Sequence, residues 1–442
     1  MDSVLLYILG ILVVAVGLAI SIGLHEVGHL VPAKRFGVKV GQFMIGFGPT
    51  LWSRRRGETE YGIKALPLGG YISMTGMFPP AREGERARTA GTGFLNTMVQ
   101  DARDSSASQI EPGEEHRTFY RLATWKRVVI MLGGPTMNVL IAIVLYGVVL
   151  CGFGVPVAST TVGRVDACVI PATSTQTECA EGDAASPAAA AGILPGDRLV
   201  ELEGRAVESW ADATAVIRDA PGTALELVVE RDGEDVPLEL TPLATERYVL
   251  DERGGEVEGA DGEPLVEEVG FVGIGAATEV VRQPVTEVLP AVGDNVVRVG
   301  GIILTLPQRL VQVAQAAFGD EERDPNGPIS VVGVGRLAGE ITSLDELSIA
   351  DRMASLIQMV AALNVALFVF NLIPLLPLDG GHVAGALWES LRRRLAKLFK
   401  RPDPGPVDTA KLIPVTLTVV AVLGISSALL IYADLVNPVS LF

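Results

Sequence analysis

Residues 4–24 form an almost wholly apolar run that ends in Leu24-His25-Glu26-Val27-Gly28-His29. Few folds accept that combination. A run of this length is enough to cross a bilayer, which takes about 20 residues in a helix, and in lipid a helix satisfies its own backbone polar groups. On that helix His25 and His29 stand at i and i+4, on one face, where both can reach a single metal ion. Glu26 lies beside them. The spacing H-E-x-x-H is that of zinc hydrolases, in which two neutral imidazoles hold the metal and the glutamate takes a proton from water. The competing reading is a pair of ordinary surface or core histidines. Against it, the chain has only four histidines, two of them here, and polar groups at the end of such a run are costly in lipid unless something occupies them.

The run opens Met1-Asp2-Ser3, with no basic segment before it and no small-residue cleavage site before the histidines. It reads as a retained span rather than a signal peptide. Three more stretches have the length and apolarity to cross: residues 128–150, 353–376 and 412–430. With 49% hydrophobic and 20% charged residues in 442, the chain reads as a membrane protein carrying a soluble part. The net charge of -17 argues against nucleic acid, which is bound through basic surfaces.

Basic residues gather near the apolar runs. Lys34, Arg35, Lys39, Arg54, Arg55, Arg56, Lys126 and Arg127 fall between the first and second, and Arg392, Arg393, Arg394, Lys397, Lys400 and Arg401 follow the third. The positive-inside rule makes both connections cytoplasmic, and the N-terminus and the acidic segment 156–351 external. A fifth stretch, 285–317, contains Glu287, Asp294, Arg298, Arg309 and two prolines, and reads as an interfacial amphipathic element. A crossing there would put His25 and any ligand beyond the third run on opposite faces.

Between the first two runs, Gly46-Phe47-Gly48-Pro49 and Leu66-Pro67-Leu68-Gly69-Gly70-Tyr71 are turn signals flanked by short alternating runs, which predict small strands beside the metal motif. Residues 79–116 are polar and read as a flexible loop, and His116 falls in a charged surface run. In the external segment, Ala191-Gly192-Ile193-Leu194-Pro195-Gly196-Asp197 is a turn leading into an alternating strand. A helix at 210–219 and strands at 224–230 and 236–240 complete a compact α+β module. Cys168 and Cys179 either pair, if their loop lies in an oxidising compartment, or remain free thiols.

The third run ends in Asn371-Leu372-Ile373-Pro374-Leu375-Leu376-Pro377-Leu378-Asp379-Gly380-Gly381-His382. Its prolines break the helix at membrane depth, where irregular backbone is tolerated only if protein or water satisfies it. Asp379 is the best-placed carboxylate to complete a zinc site, and a cap of the following helix is the other reading; His382 is a rival ligand.

Assembled in order, His25 to His29, Gly46 to Pro49, Pro67 to Tyr71, Gly134-Pro135 with Asn138, Gly327-Pro328-Ile329-Ser330 and Asn371 through Gly381 resemble the site-two protease family of intramembrane zinc metalloproteases, in its bacterial branch with a PDZ domain. The string from Ala191 to Arg198 is similar to a bacterial PDZ module. The resemblance implies that His25, His29 and Asp379 bind Zn2+, that Glu26 is the catalytic base, and that Asn371 and the strand around Gly69 and Gly70 engage substrate backbone.

The fold expected is a multi-span α-helical membrane protein with four transmembrane helices, small membrane-associated β elements and an extracytoplasmic α+β PDZ-like domain. Its parts are 1–78, first span with the zinc motif and β elements; 79–122, cytoplasmic loop; 123–155, second span; 156–283, PDZ-like domain; 284–350, interfacial segment; 351–382, third span with the aspartate; 383–411, basic connection; and 412–442, fourth span. The expected setting is the bacterial cytoplasmic membrane, with the active site near the cytoplasmic side. The expected partners are the lipid bilayer, single-span membrane substrates of the anti-sigma type and a peptide ligand of the PDZ-like domain. Two other functions compete: a zinc hydrolase of signal-peptide remnants and a non-catalytic PDZ scaffold. Structural zinc sites need no general base, so Glu26 weighs against the scaffold.

Overall fold

The structure is a computed structural model that describes residues 2–77, 110, 113–170, 176, 179–180, 183–249, 257, 264–319, 323–324, 327–407 and 412–439. In chain order the elements are α1 (Asp2–Arg35), β1 (Val40–Arg56), β2 (Thr59–Met74), α2 (Thr124–Gly147), β3 (Val155–Val165), β4 (Arg198–Leu202), β5 (Arg205–Ala206), α3 (Trp210–Arg218), β6 (Leu225–Arg231), β7 (Glu234–Leu240), β8 (Leu243–Tyr248), β9 (Val266–Phe271) and β10 (Ile274–Val281). Five helices follow: α4 (Val288–Phe318), α5 (Val331–Ser343), α6 (Ile349–Asn371), α7 (Asp379–Leu398) and α8 (Ile413–Val436). Most of the loop predicted at 79–116 lies outside the described residues.

The chain divides into two compact units, residues 1–153 with 284–442, and residues 154–283. Among the described residues of the first, five helices are long and apolar enough to cross a membrane: Ser3–Arg35, Thr124–Phe153, Val285–Phe318, Ile349–Asn371 and Ile413–Val436. Four coincide with the predicted runs. The fifth is the stretch read from its charges and prolines as interfacial; it forms one continuous helix, with Pro307 inside it.

Small residues and single polar bonds set the helix contacts. Asn364 Nδ2 donates to Ser21 Oγ at 2.9 Å, and Val360 fills the notch left by Gly17, so α6 runs in the same direction as α1. Helix α5 runs the other way: Gly10 lies against the Ala338 backbone, and Thr342 Oγ1 donates to the Leu6 carbonyl at 2.9 Å. Arg323 and Asp434 form a buried ion pair at 2.5 Å, and Asp434 also accepts from the Ser330 amide at 2.7 Å, which ties the end of α8 to the start of α5.

Strands β1 and β2 form a curled two-stranded sheet in which residues 42–45 of β1 meet both Glu60 to Ile63 and Gly70 to Ser73 of β2. Its proximal half is buried under α1 and α2, with Val40, Phe43 and Met74 in one cluster with Leu30, Ala33 and Ile130. Its distal half exposes Leu51 and Trp52.

The second unit is built on the strand order β10-β3-β4-β6-β7, with β5 paired to β4 and a separate β8-β9 ladder. Alternation puts Leu225, Leu227 and Val229 of β6 and Leu199 of β4 into a core closed by Ala213 and Ile217 of α3. The predicted turn at Ala191 to Asp197 is held by Asp197, which accepts from the Leu194 amide at 2.8 Å and pairs with Arg231 at 2.7 Å. Cys168 and Cys179 are joined by a disulfide, the alternative that composition left open.

Candidate metal centre

The site starts from a backbone contact. Where α1 crosses α2, Gly28 and Gly133 face each other so closely that a Cβ on either would lie 2.2 or 2.0 Å from the other's carbonyl oxygen. Only glycines permit that approach, and it sets one face of α2 against the two histidines.

That face orients both rings. The Ile130 carbonyl lies 2.7 Å from His29 Nδ1 and accepts its proton. Nδ2 of the fully buried Asn138 amide lies 3.1 Å from His25 Nδ1, and its Oδ1 has no hydrogen-bond partner among the described residues. A ring that binds metal through Nε2 carries its proton on Nδ1, so metal binding by His25 calls for this amide turned by 180°, with Oδ1 accepting from the ring. Both Nε2 atoms then offer lone pairs to the same point, 3.2 Å apart.

Asp379, the first residue of α7, closes the triangle: its Oδ2 lies 3.4 Å from His25 Nε2 and 3.3 Å from His29 Nε2. Among the described residues no donor serves that buried oxygen. Three electron-rich atoms facing one another repel unless a cation lies between them. Ligands about 2.0–2.1 Å from a tetrahedral zinc stand about 3.3–3.4 Å apart, close to the edges found here. Gly134 keeps the space open, since a Cβ there would lie 2.2 Å from His29 Nε2 and 2.7 Å from His25 Nε2. The residues present therefore fit a zinc ion.

Glu26, 7% exposed, is the neighbouring carboxylate. Strand β2 leans on it: a Cβ at Gly70 would meet Glu26 Cγ at 2.8 Å and Oε1 at 3.1 Å. Gly69 packs instead on the Phe47 ring. Asn371 closes α6, eight residues before Asp379, and its amide donates to the Leu367 carbonyl of its own helix at 3.0 Å. His382 is not in the metal-ligating group. It lines a cavity of about 20 Å³ with Tyr120, Arg127 and Glu389, room for about one water. His116 is exposed.

The sequence placed Gly134 and Asn138 among the strings that carry the resemblance without giving either a role, and it did not single out Ile130. A backbone carbonyl carries no side-chain signal. Asn138 left one, as the single amide in the apolar stretch 135–150 four residues after Gly134.

Comparison with known proteins gives the chain a family. The profile of peptidase family M50 matches residues 13–401. The zinc metalloprotease Rip1 of Mycobacterium bovis (strain BCG / Pasteur 1173P2) is 35% identical over 99% of this chain and 100% of its own length. Rip1 of Mycolicibacterium smegmatis is 33% identical over 98% of this chain and 99% of its own length, and metalloprotease MmpA of Caulobacter vibrioides is 29% identical over 85% of each. A profile covering most of the chain and relatives covering nearly all of it converge with the ligand triangle on one assignment: this chain belongs to peptidase family M50 and is a zinc metalloprotease of the site-two type.

Proposed function

We propose that the chain is an intramembrane endopeptidase that cuts the transmembrane segments of single-span membrane proteins, as in regulated proteolysis of anti-sigma-type regulators. The observation that carries this is the ligand triangle itself. Two of its corners stand on an apolar helix long enough to span, and the third stands just past the end of another.

In this reading His25, His29 and Asp379 hold zinc, which when bound supplies Lewis-acid activation of water and of a peptide carbonyl. Glu26 takes the proton from the attacking water and returns it to the leaving amine. Its burial excludes competing solvent, the Ile130 carbonyl keeps His29 in the ligating tautomer, and the Asn138 amide, with Oδ1 turned to the ring, does the same for His25. A substrate helix hides its peptide bonds in its own ladder, so it must unwind before cleavage. Strand β2 at Gly70, resting on Glu26, offers a template on which the unwound segment adds as a strand, and Asn371 bonds its backbone.

The topology follows from parity. Because α1 and α6 run in the same direction, an odd number of crossings separates them, and an even number separates His25 at the end of α1 from Asp379 beyond α6. Four spans satisfy this with α4 in the interface. They also satisfy it with α4 entering lipid, provided α5, antiparallel to α1, leads the chain back out. Residues 156–283 form a PDZ-like domain on the external side, a reading supported by the Cys168–Cys179 disulfide, which persists in oxidising compartments. The basic segment 383–411 is cytoplasmic. The external domain admits substrates already shortened outside the membrane, or reads their new C-termini.

The test is Glu26→Gln in the full chain reconstituted with a single-span substrate. Zinc content and fold should be retained, and cleavage should fall by on the order of 10²- to 10⁴-fold, the usual contribution of a general base. Cleavage at the parental rate would end the proposal.

A further inference from the structure

Helix α7 does more than supply Asp379. Between Ser390 and Arg401 the sequence carries six basic residues and no acidic one, in a chain of net charge -17. On the helix, at 100° per residue, Leu387, Trp388, Leu391, Leu395, Leu398 and the adjoining Phe399 share an arc of about 120°. All six are 42 to 73% exposed. Arg392 borders one edge of that arc and Arg394 the other, while the opposite face is occupied by buried Ala386 and Glu389. An apolar stripe open to its surroundings with basic residues along both borders is the pattern of a helix that lies in a membrane interface.

Packing puts this stripe at the right level. Asp379 stands beside the two histidines where Gly134 of α2 faces them, and Glu389 bonds to Arg127 near the start of α2. Helix α7 therefore runs antiparallel to α2, toward the end of α2 that carries Trp125, 58% exposed, and Lys126. Aromatic and basic residues at the end of a span mark the headgroup layer. Trp388, beside Glu389, is at the same level. The helix is also tethered at both ends, between the spans α6 and α8.

We propose that the α7 stripe is a docking surface for the headgroup layer of an anionic phospholipid leaflet, with the apolar arc seated at the acyl boundary and the bordering arginines on lipid phosphates. This rests on the reading of the long apolar helices as spans. Because α7 begins at Asp379, the helix that carries the third ligand is the one in contact with lipid.

The test uses the full chain with Cys151→Ser, whose other two cysteines are held in their disulfide. A nitroxide attached through Leu391→Cys is measured by its accessibility to oxygen and to a water-soluble nickel chelate. The vesicles are of phosphatidylcholine alone or of equal parts phosphatidylcholine and phosphatidylglycerol. In the mixed vesicles the label should sit about 5–10 Å below the headgroup surface. It should move outward in phosphatidylcholine alone, in high salt, and in the combined Arg392→Gln, Arg394→Gln and Lys397→Gln variant. Three results would overturn the proposal: a label that is aqueous in the mixed vesicles, one whose depth ignores lipid charge and the triple substitution, and one shielded from both relaxants, which would mean that protein covers the stripe. A second label through Val420→Cys on α8 reports whether the spans themselves are in lipid, so failure of the spanning reading is not mistaken for failure of the docking surface. Neither measurement depends on proteolysis.

Discussion

The guanidinium of Arg127 grips both carboxylate oxygens of Glu389, at 3.0 and 2.7 Å, and both side chains are almost fully buried. The pair joins the first turn of α2, which carries Ile130, Gly134 and Asn138, to α7, which starts at Asp379. It holds the two halves of the metal centre in register across 262 residues of sequence. Glu389 also accepts from the Val407 amide at 3.1 Å, fixing the connection that follows α7.

Removing one partner leaves the other charged, buried and unpaired. Glu389→Ala should therefore destabilise the protein by about 3–5 kcal/mol, whereas Arg127→Met with Glu389→Leu should recover most of that loss. Thermal unfolding in detergent measures both. Equal stability of Glu389→Ala and the parent would mean that the pair bears no load.

Gly134 is predicted to be irreplaceable. The methyl group of Gly134→Ala would stand 2.2 Å from His29 Nε2, inside the space a metal needs. Bound zinc, measured by elemental analysis after dialysis, should fall well below one per chain, and cleavage should fall with it. Stoichiometric zinc in this variant would place the metal elsewhere.

Strand addition at β2 predicts that backbone, not side chains, carries substrate contact. Proline replacements taken one at a time along residues 70–73 remove an amide each. At positions whose amide points away from β1, they should raise KM about tenfold while zinc content stays unchanged. If cleavage survives across the series, the unwound substrate binds elsewhere.

The proposed gating role of residues 156–283 predicts a difference between two substrates. Deleting residues 160–280 should speed cleavage of an intact single-span substrate severalfold and leave a substrate already trimmed outside the membrane unaffected. Equal effects on both, or none on either, would remove the gating role.

The chemistry was legible because it is written in local spacing. His25, Glu26 and His29 fall within one and a half helical turns, and the apolar run before them fixes the helix that presents them. The alternation in Leu225 to Val229 and the glycine turns before Tyr71 likewise carry their own periodicity, so the strands could be anticipated. The fifth apolar helix was harder. Its charges and its prolines argued for the interface, and its length argues equally for lipid, because composition does not encode what packs around a helix.

What the sequence determined by itself was therefore the apolar helices and the candidate donors and base that they present. Tertiary structure alone decided what surrounds them. Ile130 offers a carbonyl, Asn138 an amide and Gly134 an absence of side chain, and none of these has meaning for zinc until the Gly28–Gly133 contact brings α2 against α1. Asp379 changes from a helix cap into a candidate ligand for the same reason. Its Oδ2 lies within 3.4 Å of two ring nitrogens that are about 350 residues away along the chain and adjacent only after folding.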